Sequence, residues 1–159
     1  MNIGIIVYSQ TGNTHGVAQK LQEKLAAAGH NVNLERITVS GEVSPGSKDF
    51  QITNVPQVDQ YDAIIFGAPV QAFSLTPVMT TYLNQLSSLR DKKVACYVTK
   101  QLPFHWTGGN RAVARMKKLC EIKDAKVDGT GIVIWSKAVR EQNISECIER
   151  LSTLFALEG

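Results

Sequence analysis

The N-terminal segment joins an apolar run, a polar loop and a helical pattern, and this order limits the fold more than any other part of the chain. Residues 2–8 are rich in Ile and Val, which predicts a buried parallel strand. Residues 9–14 are polar, and Val17, Leu21 and Leu25 then recur at helical spacing. A strand therefore turns through a polar loop directly into the N-terminus of a helix.

The polar loop has the chemistry of a phosphate site without a cation. The first N–H groups of a helix have no internal partners, and the helix dipole favours negative charge there. The loop adds neutral hydroxyl donors and contains no Lys or Arg; its members are Ser9, Gln10, Thr11, Gly12, Asn13 and Thr14. The alternative is a polar loop that only caps the helix. Neither a G-x-G-x-x-G after the first strand nor a G-x-x-x-x-G-K-[ST] is found in the sequence.

The spacing Ser-x-Thr-Gly-x-Thr over residues 9–14 resembles the phosphate-binding loop of the flavodoxins, which hold the monophosphate of FMN. The resemblance extends over nearly the whole chain in its order of strands and helices, and it is to the short-chain form of the family. It implies an α/β fold with a doubly wound, five-stranded parallel sheet of order 2-1-3-4-5. It also implies FMN as the cofactor and a single flavodoxin-like domain spanning residues 1–159.

The alternation of patterns along the chain independently predicts an open parallel sheet with helices on both faces. The predicted strands cover about residues 2–8, 31–37, 61–67, 93–99 and 125–135. The predicted helices cover about residues 13–28, 76–89, 108–121 and 139–157. Residues 38–60 are rich in Ser, Gly, Pro, Asp and Gln and are interpreted as a long connection. The loops at 9–14, 68–75 and 100–107 then share the carboxyl edge of the sheet.

The second of these loops resembles the family's second flavin-binding loop, in which the backbone faces the flavin ring. The candidate flavin-binding residues are Pro69, Val70, Gln71, Ala72 and Phe73. Phe73 is the residue expected to cover one face of the ring. The alternative is a core Phe buried beneath the loop.

The third loop carries aromatic rings in close succession, and rings on loops tend to contact something other than the core. Trp106 is the first choice for stacking on the flavin and Phe104 the second. The alternatives are that these rings fold back onto the last helices or form a dimer contact. The glycines would allow the backbone to approach the flavin closely. The candidates here are Thr99, Lys100, Phe104, Trp106, Gly108 and Gly109.

Composition predicts a cytoplasmic protein without a membrane span. Apolar residues make up 43% of the chain and charged residues 19%, and no apolar segment reaches the roughly 18 residues needed to cross a bilayer. The first strand follows Met1 directly, which leaves no room for a signal peptide. The three cysteines show no C-x-x-C spacing, which is typical of free thiols in a reducing compartment. No metal site and no catalytic acid, base or nucleophile are predicted.

The basic residues are concentrated in one part of the chain. Between Arg90 and Lys126 the net charge is +7, and the remainder of the chain carries −4. Flavodoxins that carry electrons are usually acidic, whereas this chain has Lys100, His105 and Arg111 around its third loop. One interpretation is a solvated helix face; the other is a docking face for an acidic partner or an anionic cofactor. No motif for nucleic-acid binding accompanies the basic residues.

These observations favour an FMN-binding electron-transfer protein, because single-electron exchange needs no acid or base on the protein. Its partner would be a redox protein, with an acidic surface favoured by the basic segment. The alternative is an FMN-dependent NAD(P)H:quinone-type oxidoreductase, in which His105 would assist protonation. A third hypothesis is a binding module that has lost FMN. Monomer and homodimer both remain open.

Overall fold

The computed structural model describes residues 1–44, 49–101 and 108–155. Eight strands and four helices are found in these ranges. The strands are β1 (Asn2–Val7), β2 (Asn31–Arg36), β3 (Thr38–Ser40), β4 (Gln51–Asn54), β5 (Ala63–Gln71), β6 (Ser74–Leu75), β7 (Lys93–Lys100) and β8 (Lys126–Ile134). The helices are α1 (Asn13–Ala27), α2 (Pro77–Gln85), α3 (Gly109–Ile122) and α4 (Arg140–Leu154).

The main sheet is parallel and has the order β2-β1-β5-β7-β8. Counting only these five strands along the chain gives the order 2-1-3-4-5, so the predicted sheet is confirmed. The neighbours of β1 lie in opposite directions from it, with β2 on one side and β5 on the other. This reversal of strand order opens a crevice at the carboxyl edge, where such sheets bind ligands.

Helices cover both faces of the sheet, as predicted. One face packs against α2 and α3 through a cluster that includes Ile64, Phe66, Met79 and Met116. The other packs against α1 and α4 through Ile5, Ile65, Leu21 and Leu151. Because helices bury both faces of the sheet, the central strands consist of continuous apolar runs and do not alternate between apolar and polar residues.

Four local features differ from the sequence-based expectation. The connection at 38–60 contains the antiparallel pair β3–β4, and the loop at 68–75 contains the short hairpin β5–β6. Helix α2 ends at Gln85 rather than Leu89, because Leu86 takes an extended conformation at its C-terminus. Strand β8 includes Gly129 and Gly131, and its pairing with β7 shifts register between Val127 and Gly129.

In the described part of the chain, no helix is both long and apolar enough to cross a membrane. The same residues contain no group of three or more His, Cys, Asp or Glu side chains placed to hold a metal ion.

Candidate functional site at the carboxyl edge of the sheet

The loop after β1 is folded around the side chain of Ser9. Its Oγ accepts hydrogen bonds from the backbone N–H groups of Gly12, at 3.1 Å, and His15, at 3.3 Å. Both lone pairs of the hydroxyl are thereby used, so its own proton is left to donate outward. Gly12 has φ of 91° and immediately precedes α1. The loop therefore wraps the helix N-terminus as the sequence predicted.

Thr14 connects this loop to the end of β7. Its Oγ1 lies 2.7 Å from Oγ1 of Thr99 and is buried. Only one of the two hydroxyls can donate to the other, so the accepting hydroxyl keeps a proton for a further partner. Thr14 and Thr99 were both predicted as cofactor-binding residues, and the fold brings them into direct contact.

Tyr97 holds the first turn of α1 through a hydrogen bond to Thr14, and the sequence did not predict this contact. Its hydroxyl donates to the carbonyl oxygen of Thr14 at 2.7 Å. The Tyr97 ring can cross β5 because Gly67, its neighbour in register, has no Cβ; an added Cβ would overlap the ring. Burial raises the pKa of the Tyr97 hydroxyl well above its usual value, so it stays a donor. The pairing of Gly67 with Tyr97 depends on strand register, which the sequence does not display.

The second predicted loop is a tight hairpin. Strand β5 continues to Gln71 and returns through β6, so Pro69, Val70 and Gln71 are strand residues and not loop residues. Ala72 and Phe73 make the turn with φ of 47° and 63°, a left-handed conformation that non-glycine residues rarely adopt. Phe73 is 50% exposed, so the interpretation of Phe73 as a core residue is wrong.

Gln71 joins the hairpin to the first loop. Its Nε2 donates to Oε1 of Gln10 at 2.7 Å. Its own Oε1 is buried and finds no hydrogen-bond partner among the described residues. A buried acceptor without a donor is unfavourable, so this atom indicates a place for a donor that residues 1–44, 49–101 and 108–155 do not supply.

The third predicted segment lies partly outside the described residues. Phe104, Trp106 and His105 belong to that part, so their predicted roles stay predictions. Gly108 has φ of 100°, and an added Cβ would overlap the backbone of Phe73. The start of α3 is thus pressed against the hairpin tip. The structure shows this contact with the hairpin, whereas the approach of Gly108 and Gly109 to the flavin stays a prediction.

Lys100 is not a loop residue, contrary to the prediction. It is the last residue of β7, and only 6% of it is exposed. Its aliphatic stem lies where a Cβ at Gly109 would touch it, beneath the first turn of α3. Burial lowers the pKa of the Lys100 ammonium group. A lysine can be buried in this way because its long apolar stem can pack under a helix.

Two further polar residues flank the first loop on the side of β2. Arg36 donates to the carbonyl oxygen of Ser9 at 3.3 Å. Both residues line an open groove of about 510 Å³. Burial and the nearby Arg36 lower the pKa of the half-buried His15. The predicted strand order placed β2 beside β1, which could have identified Arg36 as a neighbour of the loop.

The donors and acceptors of this edge fit FMN. The phosphate needs donors, which the Ser9 hydroxyl, the Thr14–Thr99 pair and the first N–H groups of α1 supply. The flavin ring carries an N–H group, and the buried Oε1 of Gln71 is an acceptor to which no described residue donates. The site is therefore complementary to a ligand with an anionic end and a ring that donates a hydrogen bond.

A model of the flavodoxin domain matches residues 4–103, which is more than half of the chain. The chain belongs to the flavodoxin family. The matched range includes the loop after β1, the β5–β6 hairpin and the end of β7. The family assignment supports FMN as the cofactor and electron transfer as the function.

Solved structures with the same fold cover 92–98% of the chain. Oxidised flavodoxin 2 of Bacillus cereus is 20% identical with a TM-score of 0.71, and 98% of each chain is covered. Oxidised flavodoxin 1 of the same organism is 18% identical with a TM-score of 0.68, covering 98% of this chain and 97% of the other. A Lactobacillus acidophilus flavoprotein in complex with FMN is 19% identical with a TM-score of 0.64, covering 92% and 97%.

A curated relative is similar to part of the chain. It is the NAD(P)H dehydrogenase (quinone) of Acidovorax ebreus, 28% identical over 92 residues. The match covers 54% of this chain and 46% of that protein, so the similarity spans about half of each.

Proposed function

We propose that this protein is an FMN-binding, flavodoxin-like electron-transfer protein whose flavin is held by the segments after β1, β5 and β7. The structure of the loop after β1 is the observation that supports the proposal most directly. Ser9 and the Thr14–Thr99 pair there surround a helix N-terminus with hydroxyl donors, and residues 9–14 include no Lys or Arg. This arrangement suits a terminal monophosphate better than a neutral ligand.

The proposed cofactor contacts fall into three groups. The phosphate is held by Ser9, Gln10, Thr11, Gly12, Asn13 and Thr14, with Thr99 behind them. The ring is contacted by Pro69, Val70, Gln71, Ala72 and Phe73. Its other side is contacted by Lys100, Phe104, Trp106, Gly108 and Gly109. Gln71 accepts from the ring, and the half-exposed Phe73 covers apolar ring surface.

Bound FMN supplies the redox chemistry, because it accepts and returns electrons one or two at a time. The chain supplies binding and electrostatics. Ser9 and Thr14 hold the phosphate end, Tyr97 fixes the turn that carries Thr14, and Gly108 fixes the hairpin tip. None of these roles requires a proton to leave the protein.

The experiment that tests this proposal is the absorbance spectrum of protein purified without added flavin, followed by an anaerobic reductive titration. The expected result is a yellow protein that is bleached reversibly on reduction. A colourless protein that takes up no added FMN would instead support a binding module that has lost its flavin.

A second candidate is an FMN-dependent NAD(P)H:quinone-type oxidoreductase. It is favoured by the name of the Acidovorax relative and by the basic stretch from Arg90 to Lys126, which suits an anionic nicotinamide cofactor. A steady-state assay with NAD(P)H and a quinone separates the two functions. A carrier turns over slowly without an added reductase, whereas an oxidoreductase turns over by itself.

The proposed partner is a redox protein with an acidic surface, and the proposed location is the cytoplasm. The basic stretch supports the first and the cysteines without disulfides support the second. Sedimentation of the FMN-loaded protein would decide between monomer and homodimer.

A further inference from the structure

Helix α3 presents a row of cations to solvent that ends in an exposed isoleucine. Arg111, Arg115, Lys118 and Ile122 follow one another at i, i+4, i+7 and i+11, which places them along one side of the helix. The buried side is opposite and consists of Gly109, Ala112, Val113, Met116, Leu119 and Cys120. At about 1.5 Å per residue the row is on the order of 16 Å long. We call Arg111, Arg115, Lys118 and Ile122 the α3 stripe.

The charges of the α3 stripe are not neutralised within the described residues. There, the ion pair found is Lys24–Glu149, which joins α1 and α4 on the other face of the sheet. Helix α3 carries one acidic residue, Glu121, against four basic ones. The stripe therefore offers an uncompensated positive field to solvent.

Ile122 is 61% exposed, and it is the most exposed of the large apolar side chains described. An exposed isoleucine at the end of a charged row resembles the anatomy of a protein interface, in which an apolar contact is surrounded by polar and charged groups. The apolar side chain of Ile122 would contribute favourable free energy only when another surface covers it and removes it from water.

The α3 stripe begins at the proposed flavin site. Gly108 immediately precedes α3 and lies against the backbone of Phe73 at the hairpin tip. A protein docked on the stripe would therefore sit beside the edge through which electrons enter or leave the flavin. Interfaces of redox encounters are small, commonly below about 1,200 Å², so a stripe of this length is sufficient.

We infer that the α3 stripe is the docking surface for an acidic electron-transfer protein that presents carboxylates around an apolar residue. The inference rests on the proposed function and assigns its partner a place on the molecule. Electrostatic attraction would steer the encounter through Arg111, Arg115 and Lys118, and Ile122 would supply the short-range contact.

The probe is a plant-type [2Fe–2S] ferredoxin, a small acidic one-electron carrier. Isothermal titration of oxidised holoprotein with oxidised ferredoxin measures binding without electron transfer. The variants are Arg115→Glu and Lys118→Glu, and the matched control is Lys20→Glu, which makes the same change of charge at an exposed site on α1. At low ionic strength we expect each stripe variant to weaken binding about tenfold, and the control about twofold or less. High salt should bring all charge variants to the same affinity.

Two further measurements complete the test. Ile122→Ser should weaken binding by a factor that does not change with salt, because the lost contact is apolar. Stopped-flow reduction of oxidised holoprotein by reduced ferredoxin, with one electron passed per ferredoxin oxidised, should show the same order of variants as the titration. FMN affinity should be equal in all variants, which shows that the flavin site is intact.

Three results would overturn the inference. Equal weakening by Lys20→Glu would mean that net charge alone matters. No binding of ferredoxin by the wild type at low salt would remove the docking surface. Loss of affinity for a short DNA duplex in the stripe variants, with ferredoxin binding unchanged, would assign the stripe to nucleic acid. A failure of the proposed function is separate, because it appears as absent FMN binding in the wild type, whereas ferredoxin binding is measured by titration.

Discussion

At the scale of single residues, the hydroxyl pair of Thr14 and Thr99 links the first loop to the end of β7. The variant Thr14→Val keeps the shape of the side chain and removes its hydroxyl. A hydrogen bond to a charged group is worth about 1.5–3 kcal/mol, so FMN affinity should fall roughly tenfold or more. Fluorescence titration of apoprotein with FMN measures this. Unchanged affinity would mean that the pair only joins two elements.

The thiols should be unreactive in the native protein. Cys96 and Cys120 are buried with Sγ atoms 4.0 Å apart, and Cys147 is buried on the other sheet face. The contact with Cys120 and burial raise the pKa of the Cys96 thiol, and burial raises the pKa of Cys147 to about 12. Ellman's reagent at mildly alkaline pH should label them only after a denaturant is added. Labelling of the native protein at the denatured rate would contradict this.

The raised pKa values of these thiols make the unfolding free energy depend on pH. A thiol whose pKa is raised by folding stays protonated in the native state while the unfolded thiol ionises. Its contribution is therefore fully present below the unfolded pKa of about 8.5 and is lost as pH rises towards 12. Urea unfolding between these values should show a falling unfolding free energy, and Cys147→Ala should make the fall less steep. An equal slope in both proteins would contradict the assignment to Cys147.

At the scale of elements, the β5–β6 hairpin holds two non-glycine residues in a left-handed turn. A residue in this conformation costs on the order of 1 kcal/mol unless it is glycine. Phe73→Gly relieves this strain but also gives the unfolded chain more conformational freedom, so the unfolding free energy of apoprotein should be nearly unchanged. The same variant should weaken FMN binding, because the aromatic ring is lost. Ala72→Gly is the matched control, because it removes only a methyl group, and it should weaken FMN binding far less than Phe73→Gly. Equal FMN affinity in both variants would remove Phe73 from the site.

The contact between the start of α3 and this hairpin should be intolerant of a side chain. Gly108→Ala meets both a φ of 100° and the backbone of Phe73. We expect a loss of about 1–3 kcal/mol in unfolding free energy, measured by urea titration. Gly16→Ala is the control, because no atom lies within 4 Å of an added Cβ there. Equal stability of the two variants would contradict the close approach.

At the scale of the whole molecule, the sequence predicted what depends on local pattern. The apolar runs within residues 2–8 and 61–67 identified buried strands, and their order along the chain predicted the layers. The first loop was predicted because strand, donors and helix are adjacent in the chain. Contacts between separate segments were not predicted. The β3–β4 hairpin lies in a polar stretch that gives no strand pattern, and the contact of Tyr97 with Thr14 joins residues that are far apart in the sequence.

Two places in the chain show why local chemistry was insufficient. A turn at residues 72–73 normally requires Asn or Gly, so Ala72 and Phe73 gave no hairpin signal. Lys100 was predicted on a loop, and the sequence could not show that it ends β7 with its stem covered by α3. In both places tertiary packing against the start of α3 outweighs the preference of the residue.

The central claim is that the loop after β1 holds a terminal phosphate, and the affinities of apoprotein for FMN and riboflavin test it most directly. The two ligands share the ring and the ribityl chain and differ only in the phosphate. Because several charge-assisted hydrogen bonds are at stake, FMN should bind at least about a hundredfold more tightly than riboflavin. Thr14→Val should narrow this ratio. Equal affinity for FMN and riboflavin in the wild type would contradict the account.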